Sequence, residues 1–95
     1  MSNVFRRYEI LLPLRYGNGS PVSEEVLDDA LLEVQKRFGY WRLDSQLYPG
    51  ERTRVLADVP DTSESNRFFL ELKERLKGRF RQADIWMTTH PIERL

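Results

Sequence analysis

The sequence contains no cysteine, and this absence excludes several chemistries at once. Disulfides, thiolate metal sites, iron–sulfur clusters and thiol nucleophiles all require cysteine. The chain also has a single histidine, His90, so two histidine ligands from one chain cannot share a metal. No Ser–His–Asp set can be assembled from the sequence either. We therefore assign no catalytic residue, expect no metal and no cofactor, and interpret His90 as a surface residue.

Long apolar runs and an excess of charge are missing as well. No run approaches the roughly 20 apolar residues of a membrane-spanning helix, and residues 1–8 lack the apolar segment of a secretory signal. We therefore expect a cytoplasmic protein with no membrane partner. Lys plus Arg and Asp plus Glu both total 15, so the net charge is zero. That balance removes a general electrostatic attraction to nucleic acid, and we expect no such partner.

What the sequence does contain is enough for one small folded domain. Its 95 residues are 40% hydrophobic and 12% aromatic, which suffices for one two-layer core and not for two. The composition shows no linker, repeat or low-complexity stretch. We predict a single domain over residues 1–95.

The first half of the chain predicts a strand, a helix and a strand. Apolar and polar residues alternate over 4–16, with Pro13 expected to end regular pairing near Leu12. Ser23 is placed to cap a helix that ends at Gly39, because apolar residues recur at helical spacing between them. Alternation resumes over 41–48.

The second half repeats the pattern. A turn at 49–52 leads to a strand over 53–59, and then Asp61 and Thr62 compete to cap a second helix. Its apolar stripe includes Leu72, which we expect to be fully buried. A last strand around 85–89 is predicted to end at Pro91.

The order strand, helix, strand, strand, helix, strand is typical of an α+β, ferredoxin-like βαββαβ sandwich. With right-handed crossovers this arrangement predicts a four-stranded antiparallel sheet in the order 4-1-3-2, with both helices on one face. The alternative is a meander with a differently placed fourth strand.

Three segments also resemble a known group of proteins. The segments 7–16 (RYEILLPLRY), 58–62 (DVPDT) and 89–93 (THPIE) are similar to those of a group of small uncharacterised bacterial proteins. The resemblance covers nearly the whole chain, although the stretch 40–54 is shorter here. It implies a bacterial, cytoplasmic protein and carries no catalytic residue over.

Charges are segregated along the chain despite their zero sum. Acids fill the start of the first helix (Glu24, Glu25, Asp28, Asp29 and Glu33), and bases fill the end of the second (Lys73, Arg75, Lys77, Arg79 and Arg81). One interpretation is that each cluster complements a helix dipole and that the two neutralise each other. The other is an anion-binding group, with Arg52, Arg75, Arg79 and Arg81 as its candidates.

The sheet face opposite the helices is the second candidate site. Alternation places on it the partner-interface candidates Leu11, Leu56, Trp86, Arg7, Arg42 and Arg54. The three arginines alternate with Glu9, Asp44 and Asp58, so a copy related by a two-fold axis could pair these charges with its own.

The leading function hypothesis is a non-enzymatic protein-interaction or assembly module that uses this open face to bind a second copy or another protein. One alternative is a nucleic-acid-associated relative of small ferredoxin-like nucleases. Those need an acid at the end of the first strand, where this chain reads Leu12-Pro13-Leu14-Arg15. Another alternative is a dimeric α+β-barrel enzyme, with Trp86 and His90 lining its pocket.

Overall fold

The computed structural model describes residues 4–39, 42–48 and 52–93, with only the backbone described over 42–48. The elements follow in the order β1 (Val4–Pro13), α1 (Glu24–Phe38), β2 (Arg42–Tyr48), β3 (Arg52–Pro60), α2 (Ser63–Arg79) and β4 (Met87–Glu93). Most of the turn predicted at 49–52 lies outside the described residues, as does Trp41.

The strands form one antiparallel sheet with neighbours β2-β3-β1-β4. On one side of β1, Phe5 lies opposite Pro60 and Pro13 opposite Arg52. On its other side, Ile10 lies opposite Met87. The predicted α+β class, with two helices and an antiparallel sheet, is confirmed.

Alternate residues of β1 build the core, as period-two alternation requires. Tyr8, Ile10 and Leu12 are each 2% exposed and belong to one buried cluster with residues of both helices. Phe69 of α2 stacks on the Tyr8 ring at a centroid distance of 3.9 Å. Leu72 is fully buried, as predicted. Both helices therefore cover the same face of the sheet and leave the other face open.

Local hydrogen bonds set the helix ends. The Ser23 side chain accepts from the Val26 amide, and Gly39 has the left-handed φ of 74° that ends α1, so both predictions are confirmed. For α2 the cap is Thr62, whose Oγ1 accepts from the Ser65 amide at 3.1 Å. The competing Asp61 instead accepts from Arg6 Nε at 2.9 Å. In the part of the chain that the structure describes, neither helix has the length and apolarity that crossing a bilayer requires.

The last strand departs from the prediction, because β4 continues through Pro91 to Glu93. Pro91 lies opposite Arg6, five register positions from the pair in which the Leu11 amide donates to the Trp86 carbonyl. Leu11 and Trp86 form a hydrogen-bonded pair, and such pairs alternate with non-hydrogen-bonded pairs along an antiparallel ladder. Because five is an odd number of positions, Arg6 and Pro91 form a non-hydrogen-bonded pair, in which the Pro91 nitrogen points away from β1. The β1–β4 ladder therefore loses no hydrogen bond at this proline.

Candidate functional site

The open face is the sheet surface that neither helix covers. Because Tyr8, Ile10 and Leu12 face the core, their neighbours on β1 face the other way. The register places these β1 residues beside partners from β3 and β4. The open face so defined comprises Phe5, Arg7, Glu9 and Leu11 of β1, Arg54, Leu56 and Asp58 of β3, and Trp86, Thr88, His90 and Ile92 at and along β4.

Two ion pairs cross the centre of the open face. Arg7 lies opposite Asp58 and binds it through both nitrogens of a fork, Nε to Oδ1 at 2.7 Å and Nη2 to Oδ2 at 2.9 Å. Arg54 Nη1 donates diagonally to Glu9 Oε1 at 2.7 Å. Both pairs lie within one chain, whereas the sequence suggested that such charges pair across a two-fold axis.

Leu56, another interface candidate, is less accessible than the sequence suggested. It lies on the open face, outside the core cluster, yet it is only 7% exposed. Its neighbours along β3, Arg54 and Asp58, both reach across to β1, and the Glu9 that receives Arg54 lies directly opposite Leu56. Leu56 therefore offers a partner little surface. The backbone of Arg42 lies opposite Leu56 on β2, and its side chain is outside the described residues.

Leu11 and Trp86 form the exposed apolar corner of the open face. The Leu11 amide donates to the Trp86 carbonyl at 3.0 Å, which extends the β1–β4 ladder past Met87. Ile85, one residue earlier, is 1% exposed in the core, so alternation turns Trp86 to the open face. Trp86 is 46% exposed and Leu11 is half-buried.

Two further apolar residues lie at the opposite end of the open face. Phe5 and Ile92 are directly opposite each other in the β1–β4 register, and both are half-buried. Neither residue was among the interface candidates inferred from the sequence. Strand alternation could have identified Phe5, because it precedes Arg7 by two residues and so lies on the same face of the sheet.

The anion-binding candidates divide into two places. Arg75 Nε donates to Glu33 Oε2 at 3.2 Å, and Arg79 forms an ion pair with the other oxygen of the same carboxylate. These two arginines thus follow the neutralising interpretation, between α2 and α1. Arg52 and Arg81 lie elsewhere, at the corner of the sheet.

A corner cleft of about 390 Å3 opens beside Leu11 and Trp86, and Arg52 lines it. Arg15, Tyr16 and Asp84 line it as well. The Arg81 guanidinium carbon lies 4.7 Å from the centroid of the Tyr16 ring. One anion candidate, Arg52, therefore lines the cleft beside the interface corner, and a second, Arg81, packs on a residue that lines it.

The segment after β1 positions Arg15 and Tyr16 in the cleft. Tyr16 exchanges backbone hydrogen bonds with the turn, donating to the Ser20 carbonyl and accepting from the Gly19 amide. Arg15 Nη1 donates to the Gly19 carbonyl at 3.0 Å, and Gly19 has the positive φ of 86° that such a turn needs. Sequence alternation extended the strand to Tyr16, whereas the chain leaves the sheet after Pro13.

Asp84, which lines the cleft, forms an ion pair with Lys73. Lys73 Nζ lies 3.2 Å from Asp84 Oδ1. Hydrogen bonding from Lys73 lowers the pKa of the Asp84 carboxyl below its ordinary value. Asp84 therefore stays ionised and neutralised at neutral pH.

No group of three His, Asp or Glu side chains with metal-binding geometry occurs among the described residues. Asp58 and Asp61, which the sequence brings close along the chain, each bind an arginine instead. His90 lies exposed on the open face, opposite Arg7.

Comparison with known proteins gives one structural likeness. No family model matches the chain, and no curated protein matches it. Among solved structures, it is similar to a de novo designed protein with a ferredoxin fold, determined in solution by NMR. The likeness has 17% sequence identity and a TM-score of 0.43, and it covers 97% of this chain and 87% of that one.

Proposed function

We propose that the protein is a non-enzymatic interaction module that forms a homodimer through its open face. The observation that carries the proposal is the indole of Trp86, 46% exposed beside the half-buried Leu11, on a sheet face that neither helix covers. Covering apolar surface is favourable by roughly 25 cal/mol per Å2.

The charges of the open face support a second copy of the chain as the occupant. Arg7 with Asp58, and Arg54 with Glu9, form closed ion pairs, so these four residues contribute no net charge. Two such surfaces approach each other without like-charge repulsion at their centres. An isologous interface requires that kind of self-compatibility.

The proposal includes the complete strand order 4-1-3-2 in solution, because the Leu11–Trp86 corner exists only where β4 lies beside β1. The Leu11-to-Trp86 backbone hydrogen bond and the seven register pairs of β1 with β4 support it. Nuclear Overhauser contacts between the two strands test it, and their absence would overturn this part of the proposal.

Sedimentation equilibrium at high micromolar concentration tests the homodimer. We expect a dimeric wild type and a monomeric Trp86→Glu variant, because the substitution removes the apolar indole from the contact and puts a charged, strongly hydrated group in its place. The matched control is Leu70→Glu, since Leu70 is a 57% exposed apolar residue on α2, away from the open face. We expect this control to remain dimeric.

Three outcomes would overturn the proposal. A monomeric wild type would rule out the homodimer. A Trp86→Glu variant that stays dimeric places the interface elsewhere. Equal disruption by Leu70→Glu means that the effect of the new charge is not specific to the open face.

A further inference from the structure

We infer that the corner cleft is a binding site for a small molecule that carries an anionic group on a flat aromatic ring. The cleft shares Leu11 and Trp86 with the proposed dimer contact, so a ligand and a second chain would compete for this corner, but the site depends on arginines that are not part of the open-face ion pairs.

The shape of the cleft suits such a ligand. Its volume of about 390 Å3 falls within the range of roughly 300–1,000 Å3 that is typical of small-molecule sites. Leu11 and the exposed Trp86 supply an apolar wall on one side. An indole of this kind packs well against a flat ring.

The charge of the cleft selects an anion. Arg15 and Arg52 line it, and Arg81 lies against its Tyr16 wall. Asp84 is the single acid among the described lining residues, and Lys73 already binds it. Arg52 has no ion-pair partner within the described part of the chain. Guanidinium forks match the oxygens of a carboxylate or a phosphate equally well.

The backbone conformation of Arg81 supports the inference independently of the volume and the charge of the cleft. Its φ is 53°, and it is the one non-glycine residue with a positive φ among those described. The Gln82 amide donates to the Lys77 carbonyl at 3.0 Å, so the left-handed residue closes the end of α2. Glycine is the usual residue at such a position because it has no Cβ to clash. The arginine at this position costs backbone strain, and its guanidinium packs on the ring of Tyr16, a residue that lines the cleft.

Titration calorimetry with the full chain tests the inference, at a concentration at which sedimentation shows the monomer, so that no second chain covers the cleft. The probes are phenyl phosphate, benzoate, inorganic phosphate and the neutral benzyl alcohol. Arg52→Ala removes a cation that lines the cleft, Arg81→Gly removes the one that packs on its Tyr16 wall, and both leave Leu11 and Trp86 in place. The matched control is Arg75→Ala, since Arg75 binds Glu33 away from the cleft.

We expect one phenyl phosphate or benzoate per chain, with at least about tenfold weaker binding in Arg52→Ala and Arg81→Gly, as loss of a charged hydrogen-bond donor predicts. The aryl anion that binds more tightly then identifies the anionic group. Arg75→Ala should bind as the wild type does. Arg81→Gly should also unfold at a higher urea concentration than the wild type, because it removes the backbone strain.

Several results would overturn the inference. One is the absence of saturable binding of either aryl anion. Another is equal binding of benzyl alcohol, or of inorganic phosphate, since then the charge or the ring would contribute nothing. Wild-type affinity in both cleft variants would also refute it. Sedimentation of the same variants reports on the dimer separately, so failure of one proposal does not obscure the other.

Discussion

Replacing Leu72 by alanine gives the most direct test of how the two layers are held together. Leu72 is fully buried in the cluster that joins α2 to Tyr8, Ile10 and other core residues. Removal of its three outer carbons forfeits about 2.5 kcal/mol of transfer free energy, at roughly 0.8 kcal/mol per carbon. Incomplete collapse of the resulting cavity raises the total loss to about 3–5 kcal/mol.

The assay is urea denaturation followed by circular dichroism, with the free energy of unfolding extrapolated to water. Leu70→Ala is the control on the same helix, because Leu70 is 57% exposed. It should change the free energy by less than roughly 0.5 kcal/mol, as surface substitutions usually do. A Leu72→Ala loss below about 1 kcal/mol, or equal losses for the two variants, would refute the assignment of the buried stripe.

Three further predictions follow from other contacts. Thr62→Ala should lower the free energy of unfolding by about 1 kcal/mol in denaturant melts because it removes the cap of α2, whereas Asp61→Ala should lose only the ~0.2–1 kcal/mol of an exposed ion pair. Burial raises the pKa of the Tyr8 hydroxyl above its ordinary value, so the folded state favours the neutral form. Its contribution is complete below about pH 10 and is lost as pH rises through the folded-state pKa, and Tyr8→Phe should flatten that part of the pH–stability curve. At physiological salt, fluorescence anisotropy should detect no submicromolar binding to single-stranded or duplex nucleic acid; tight binding with a steep salt dependence would contradict the zero net charge argument.

Features that depend on nearby residues could be predicted from the sequence. The Ser23 cap and the Gly39 terminus each depend on a few adjacent residues, and both are confirmed. The burial of Leu72 follows from helical periodicity alone. Pro91 was wrongly predicted to end a strand, because which side of the ladder its nitrogen faces depends on register with β1.

The candidate site required the tertiary arrangement. Sequence alternation correctly placed Leu56 on the open face, but its low exposure follows from the ion pairs on either side of it, which join Arg54 and Asp58 of its own strand to β1. The anion candidates were grouped by position along the chain, whereas Glu33 draws Arg75 and Arg79 away from Arg52. The corner cleft joins segments some 70 residues apart, Arg15 and Trp86, and no local pattern links them.

The course of β4 through Pro91 limits how molecules of this protein can assemble. Along the outer border of β4, the backbone groups of Thr89 and Pro91 face away from β1, and only the first of these has an amide hydrogen to give. A strand of a neighbouring molecule that paired with this border would find the carbonyl oxygen of Pro91 as an acceptor. It would find no Pro91 amide hydrogen to bind its own carbonyl oxygen. The missing donor disfavours a side-by-side joining of sheets from successive molecules into a long ribbon. Contact through the open face, as proposed above, would instead use up that surface in a single pairing and would limit growth to two chains.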